Sequence, residues 1–323
     1  MSAQQSTTTA PGIGQRLRRW LPDRVDRRVL TAAWISLVLE IAIVGTGGAV
    51  RLTGSGLGCE WPLCTPDSLF PTAEQSYHSV IEFGNRALSF FVGLAAVALI
   101  VLVSRLRRER RDLWVMSWIV FAGVLVQAVV GGVLVIFDLH PNLVSFHYIV
   151  SLILVGVSAA IVGRATQPAG RREAAVPRWL AVTTHITSLV LVLTVLVGVL
   201  TTGAGPHSGD PEVTLRNGFD ATLLEHVHSW PAYALFALTI VLVIGAWRAG
   251  PGAAGLLRWA TVLLAVELVQ IGVGLYQARN DLPPLAVGIH MVLAAIAVAT
   301  MTAAVLQLKK PAAVDAGDRA AAR

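Results

Sequence analysis

The stretch VQAVVGGVLVIFDLHPNLVSFHYIVS, Val126 to Ser151, returns in altered form as VQIGVGLYQARNDLPPLAVGIHMVLA, Val269 to Ala294. The offset is a constant 143 positions, so Gln127 falls on Gln270, Gly131 on Gly274 and His147 on His290. Carried back along the chain, the same offset takes Glu82 to Glu225 and Asn85 to His228. Shared polar residues embedded in apolar sequence imply that each half builds a similar intramembrane site.

The setting is a membrane. Of 323 residues, 55% are hydrophobic and only 14% charged, too little polar surface for a soluble protein of this length. Runs of about 20 apolar residues, the length that crosses roughly 30 Å of hydrocarbon, occur eight times. They lie near residues 30–51, 77–103, 114–137, 143–163, 179–202, 221–246, 258–277 and 285–307. The expected fold is therefore all-α and polytopic, with eight transmembrane helices in two pseudo-symmetric four-helix bundles. An even number of helices per repeat brings both halves in from the same side, related by an axis along the membrane normal, and short loops favour up-down-up-down bundles. The division this predicts is a basic segment at 1–29, a first bundle at 30–163, a linker at 164–178, a second bundle at 179–307 and a tail at 308–323.

Of the 25 Lys and Arg residues, 21 fall in segments that face one side, and the other four, Arg51, Arg86, Arg216 and Arg279, lie at or near the opposite helix ends. The positive-inside rule then predicts cytoplasmic termini in a cell membrane. The net charge of +6 reads as anchoring to anionic lipid and not as nucleic-acid binding. The first 29 residues are polar and then basic, without the apolar core and small-residue cleavage site of a signal peptide, so helix 1 is expected to insert the chain itself. After Leu308 the tail lacks apolar periodicity and is expected to be disordered.

Helix 1 runs into GTGGAVRLTGSGLGCEWPLC, residues 45–64, where apolar sequence gives way to Gly, Thr and Ser. Glycines here permit tight turns and close backbone approach, and a simple helix cap is the plainer alternative. Arg51, a cation at the outer end of an apolar helix, is placed to meet a carboxylate at the interface. Cys59 and Cys64 are the only cysteines and share the first outer loop. An oxidising setting without further ligands favours a disulfide over a zinc site, and both a structural staple and a redox-active pair stay open. On helix 2, Glu82 and Asn85 share a face, with His78 four residues before Glu82. A carboxylate in hydrocarbon should face the bundle interior, and an ion pair with Arg86 is the alternative to a catalytic role.

Depth limits what the histidines can do. His228 and His290 lie about 8–12 Å inside the outer surface at 1.5 Å per residue, nearly level with each other. They sit on helices that run in the same direction and would be diagonal partners in a bundle. Two imidazoles pointing at each other across the axis suit an iron porphyrin clamped between two helices. His226, two residues from His228, points elsewhere.

GGAVRLTGSGLGCEWPLC, then VIEFGNR, then His147, His228 and His290 on alternate helices together resemble the heme A synthase family, over nearly all of residues 30–307. The resemblance implies a membrane enzyme that oxidises a ring methyl group of heme O to a formyl group, giving heme A for cytochrome oxidase. It implies a resident heme b held by His228 and His290 in the second bundle. It further implies a substrate heme site in the first bundle, with Glu82 catalytic and position 85 and His147 as the axial pair, and it maps the outer-loop cysteines onto Cys59 and Cys64. Position 85 is Asn where the family generally has a second histidine. Asn is a poor iron ligand, so the expectation is five-coordinate binding through His147, with His78 or His140 as substitutes to be considered.

The runner-up is a non-enzymatic diheme electron-transfer protein, which the same imidazole geometry would support. Glu82 and the asymmetry at position 85 argue against it, because a pure carrier gains nothing from losing an axial ligand. A transporter with repeat symmetry leaves the cysteine pair and the paired histidines unexplained. The expected partners are heme O, the enzyme that produces it, the lipid membrane and an electron acceptor of unidentified kind; a homo-oligomer is compatible.

Overall fold

In the computed structural model, which describes residues 20–213 and 215–312, the chain is all-α apart from one small two-stranded ribbon. Among the described residues eight helices are long and apolar enough to cross a membrane. They are α1 Arg27–Leu52, α2 Tyr77–Val103, α3 Arg111–Ile136, α4 Pro141–Ala165, α5 Arg178–Ala204, α6 Ala221–Arg248, α7 Ala254–Arg279 and α8 Pro284–Leu306. The protein is thus an all-α polytopic membrane protein, as its apolar runs predict.

The ends of these helices follow from local chemistry. Asp26 caps α1, its carboxylate accepting from the N–H groups of Arg28 at 2.9 Å and Val29 at 3.2 Å. Asp220 caps α6 in the same way through Leu223 N at 2.8 Å. Proline opens both α4 and α8, where its fixed φ suits the first turn and its missing N–H is not needed. The turns leading into these two helices are the same turn twice. Asp138 and Leu139 have φ of 46° and 56°, and Asp281 and Leu282, 143 positions on, have 56° and 54°. Two successive left-handed residues with side chains cost about 1–2 kcal/mol each, and the turn is held by matching bonds, Leu139 N to Leu134 O at 2.8 Å and Leu282 N to Gln277 O at 3.0 Å.

Within the first half, α1 and α3 each pack on both α2 and α4; within the second, α5 and α7 each pack on both α6 and α8. The halves meet where α8 lies against α1 and α4 and where α4 touches α5. The Tyr148 hydroxyl on α4 donates to the Met291 carbonyl on α8 at 3.1 Å across this seam. Large buried side chains, among them Leu99, Leu106, Leu113, Leu180, Leu242 and Leu256, gather toward the end of the molecule away from the long 53–76 and 205–220 loops. At the loop-rich end packing is more open: no residue of α6 before Leu235 and none of α7 after Glu267 is buried. That is the end that carries the imidazoles.

One expectation needs correction. Residues 309–311, expected to belong to a disordered tail, form a strand that pairs antiparallel with Arg172–Ala174 of the 164–178 linker. The partner strand lies more than 130 positions away, and an ion pair between Lys310 and Glu173 at 3.2 Å adds to it, so the tail's own pattern could not reveal the pairing. Arg51, expected to meet a carboxylate at the interface, has two of its nitrogens on backbone carbonyls of the second half, and no carboxylate of the described residues pairs with it. The expectation that the first 29 residues hold no signal peptide falls for its greater part on residues 1–19, and that of a disordered tail on residues 313–323, both outside the described residues.

Candidate functional site

His147 and His290 each sit six residues after the proline that opens their helix. Each is tied to the preceding helix by the repeated glutamine: Gln127 Nε2 donates to His147 O at 2.8 Å, and Gln270 Nε2 to His290 O at 3.0 Å. Glycine makes room for each ring. A Cβ added at Gly274 would lie 3.3 Å from His290 Cε1, and one at Gly131 would lie 3.8 Å from His147 Cε1. On α6, His228 lies against Gly198, where an added Cβ would come within 2.8 Å of the ring. Real Cβ contacts that short are essentially unknown, so a side chain at this position would have to displace the His228 ring.

The His228 and His290 rings face each other with centroids 6.3 Å apart and planes at 72°. The Nδ1 atoms of His147, His228 and His290 are all buried without a hydrogen-bond partner among the described residues. Buried polar atoms left open in this way carry a cost unless something outside the chain satisfies the ring. Among the described residues no group of three or more His, Cys, Asp or Glu could hold a bare metal ion. Two imidazoles alone suit a metal that arrives with its other donors already attached.

In the first half, Asn85 occupies the position of His228. Its Oδ1 accepts from Thr46 Oγ1 on α1 at 2.7 Å, and a Cβ added at the neighbouring Gly47 would lie 3.9 Å from the same oxygen. The two histidines considered as substitutes are engaged elsewhere. His78 Nδ1 bonds Ser55 Oγ at 2.8 Å, and His140 Nδ1 accepts from Asn142 N at 3.4 Å as the cap of α4.

Glu82, 5% exposed, is bonded on both oxygens. Oε2 accepts from Cys59 N at 2.7 Å and Oε1 from Arg86 at 2.5 Å, so the ion pair weighed as an alternative role is present. Arg86 also donates to the carbonyls of Glu60, Leu63 and Cys59, at 2.8, 3.4 and 3.2 Å. Ser79 Oγ donates to Gly58 O, and a Cβ at Gly58 would run into the His78 backbone at 2.7 Å. The cysteine loop is therefore pressed directly onto α2, with Cys59 bonded to Cys64 and their Cα atoms 4.2 Å apart. Trp61 of this loop lies on Gly132 of α3, where no side chain could be accommodated. Glu225, the counterpart of Glu82, is exposed and makes no hydrogen bond or ion pair among the described residues.

Arg51 reaches across to the second half: Nε donates to His207 O at 3.0 Å and Nη2 to Thr202 O at 2.9 Å. Nη1 has no partner among the described residues. Gly56 N reinforces the join by donating to Gly209 O at 2.8 Å. Sequence reasoning also missed two carboxylates. Glu40, 2% exposed in the middle of α1, has an Oε1 with no partner among the described residues, and Glu267 in the middle of α7 accepts from Thr239 Oγ1 at 2.8 Å while its Oε2 goes unpaired. A lone carboxylate in an apolar span is itself the signal. Neither recurs at the repeat offset, because the positions 143 away hold Thr183 and Val124.

Fold and site together define a multi-pass membrane protein with half-buried imidazoles on alternate helices. The sequence profile of the COX15-CtaA family, described as cytochrome oxidase assembly protein, matches residues 31–301. The chain belongs to that family. Among curated relatives it is 32% identical over 124 residues to a protein of Exiguobacterium sibiricum named heme A synthase, covering 38% of this chain and 41% of that one. It is 30% identical over 125 residues to a heme A synthase of Bacillus cereus, covering 37% and 40%. These alignments span about two fifths of the relatives' length.

Proposed function

We propose that the protein is a heme A synthase, oxidising a ring methyl group of heme O to the formyl group of heme A for cytochrome oxidase. The observation that carries the proposal is the neighbouring pair His228 and His290, their ring centres 6.3 Å apart, with the His228 ring seated on Gly198. The 6.3 Å between the ring centres would let the two imidazoles hold one heme metal between them. In this reading residues 179–307 form one four-helix bundle, in which His228 and His290 hold heme b. Residues 30–163 form a second, pseudo-symmetric bundle that takes heme O on His147 alone. Both termini face the cytoplasm, and the 53–76 and 205–220 loops face outward. The bound heme b would supply one-electron transfer toward an external acceptor.

The chain's own part is binding and proton handling. Written with water as the oxygen donor, turning a methyl into a formyl group releases two pairs of electrons and as many protons. In this reading Glu82 takes protons or stabilises positive charge developing at the methyl carbon. Arg86 and the Cys59 N–H hold it in one orientation while it does so. The Cys59–Cys64 ring fixes the loop that supplies this N–H, and Trp61 covers α3 one residue from the glycine that faces His147. Arg51 joins the two halves at the outer end, with Nη1 left for an anionic group of the substrate.

The test is expression in a host that makes heme O and lacks any heme A synthase of its own. Heme A should appear in membranes containing this protein. Its absence from membranes in which the protein is inserted and carries heme b would favour the electron-carrier reading instead.

A further inference from the structure

Asn85 stands where the repeat calls for a second imidazole, and its surroundings show that the slot has been refitted. In the second half, the first helix presents Gly198 to His228; in the first half, the first helix presents Gly47 to Asn85. The two side chains therefore occupy corresponding places, and the shorter one brings a partner. Thr46, next to Gly47, donates its hydroxyl to Asn85 Oδ1 at 2.7 Å, in preference to the Ile43 carbonyl at 3.3 Å. A hydroxyl has one proton to give. Giving it to Oδ1 fixes the amide with its oxygen toward α1 and leaves Nδ2, with two N–H groups, unbonded to any described residue. Asn85 is half-buried within a membrane span, so this open amide donor is accessible to a ligand and gains by bonding one.

We propose that Asn85 is a hydrogen-bond donor, oriented by Thr46, for a small lone-pair ligand on the open side of the iron opposite His147. The class of ligand is a water-sized or diatomic molecule or a small anion. This rests on the proposed binding of heme O through His147. An amide is shorter than an imidazole and a poor metal ligand, and Thr46 draws its oxygen toward α1, so the position that a second imidazole would take is left to a small ligand beside the amide. The polarity and donors on the open side of a heme decide what binds there and how strongly. The second half, with imidazoles on both sides, has no such position. Thus the replacement at position 85 turns one of two related sites from an electron-transfer geometry into one that admits a reactant.

The experiment uses the full-length protein purified with its hemes, and reads azide affinity of the ferric form and the carbon monoxide stretching frequency of the ferrous form. Wild type should bind azide at a high-spin heme while the low-spin heme b signal stays unchanged. Asn85→Leu should retain both hemes, weaken azide binding by roughly tenfold or more, as expected for a hydrogen bond to a charged group, and raise the carbon monoxide frequency. Asn85→His should make the site low-spin and abolish azide binding. Thr46→Val, which leaves Asn85 in place but unoriented, should weaken azide by a smaller factor and is decisive if Asn85→Leu fails to insert. Azide affinity that is unchanged or increased in Asn85→Leu, or unchanged in Thr46→Val if the former does not insert, overturns the inference. If His147→Ala leaves the high-spin signal and azide binding intact, no heme rests on His147, and the underlying reading fails separately.

Discussion

The two halves of this chain use one repeat to make two different places. In the second half, His228 faces His290, Glu225 is exposed and unbonded among the described residues, and Leu275 stands where the first half has Gly132. In the first half, Asn85 replaces the imidazole, Glu82 is buried beneath a disulfide-closed loop, and Trp61 lies on the bare backbone of Gly132. A symmetric electron conduit would have kept both halves alike. Around the repeated histidines the first half has an amide in place of an imidazole, together with a held carboxylate and an aromatic cover. These are the differences expected between a site that keeps its group and one that must turn it over.

The sharpest way to break this comparison is through the facing imidazoles. His228→Ala or His290→Ala should each remove the low-spin heme b spectrum from purified protein, and its survival in both would exclude the pair as ligands. Next in size is the contrast between the two glutamates. Glu82→Gln keeps shape and most hydrogen bonding, so the variant should insert and hold heme b while heme A output falls at least roughly tenfold, within the usual range for loss of an acid or base. Glu225→Gln should change neither quantity. Equal output from both variants at equal expression would reduce Glu82 to an ion-pair partner of Arg86.

Smaller effects probe the fit of each ring. Gly198→Ala pushes a methyl to 2.8 Å from His228, an overpacking worth about 1–3 kcal/mol, and should lower heme b retention during purification. Gly131→Ala meets His147 only at 3.8 Å and should leave heme content unchanged. Least of all should be the effect of replacing both cysteines with serine. Opening so small a ring costs about 2 kcal/mol by the chain-entropy relation, to be read as a lower unfolding temperature in detergent. Alkylation of wild type without reductant, followed by mass spectrometry, should find neither Cys59 nor Cys64 modified.

Much of the architecture was legible because a membrane makes length and apolarity sufficient to mark a span. Each of the eight apolar runs became a helix whose ends moved by at most a few residues, and Pro141 and Pro284 mark two of those ends in the sequence itself. The candidate imidazoles were legible because a polar residue within an apolar span is costly, and its recurrence at a fixed offset marks a role that both halves share. Relations between distant segments were not. Nothing in the sequence around Arg51 announces the carbonyls of Thr202 and His207, and nothing near Asn85 announces Thr46, 39 positions earlier on another helix. The same holds for the strand at Lys309–Pro311, whose partner lies in the linker between the halves. Glu40 and Glu267 escaped for a different reason: each belongs to one half alone, and repetition marks only what both halves carry.

The central claim is that one half turns over a heme while the other keeps one, and extraction and chromatography of the hemes in purified protein test it most directly. The account predicts heme b together with heme O or heme A in wild type. It predicts loss of heme O and heme A alone in His147→Ala, and loss of heme b in His228→Ala. Heme b as the sole species in wild type, from cells that make heme O, would contradict it.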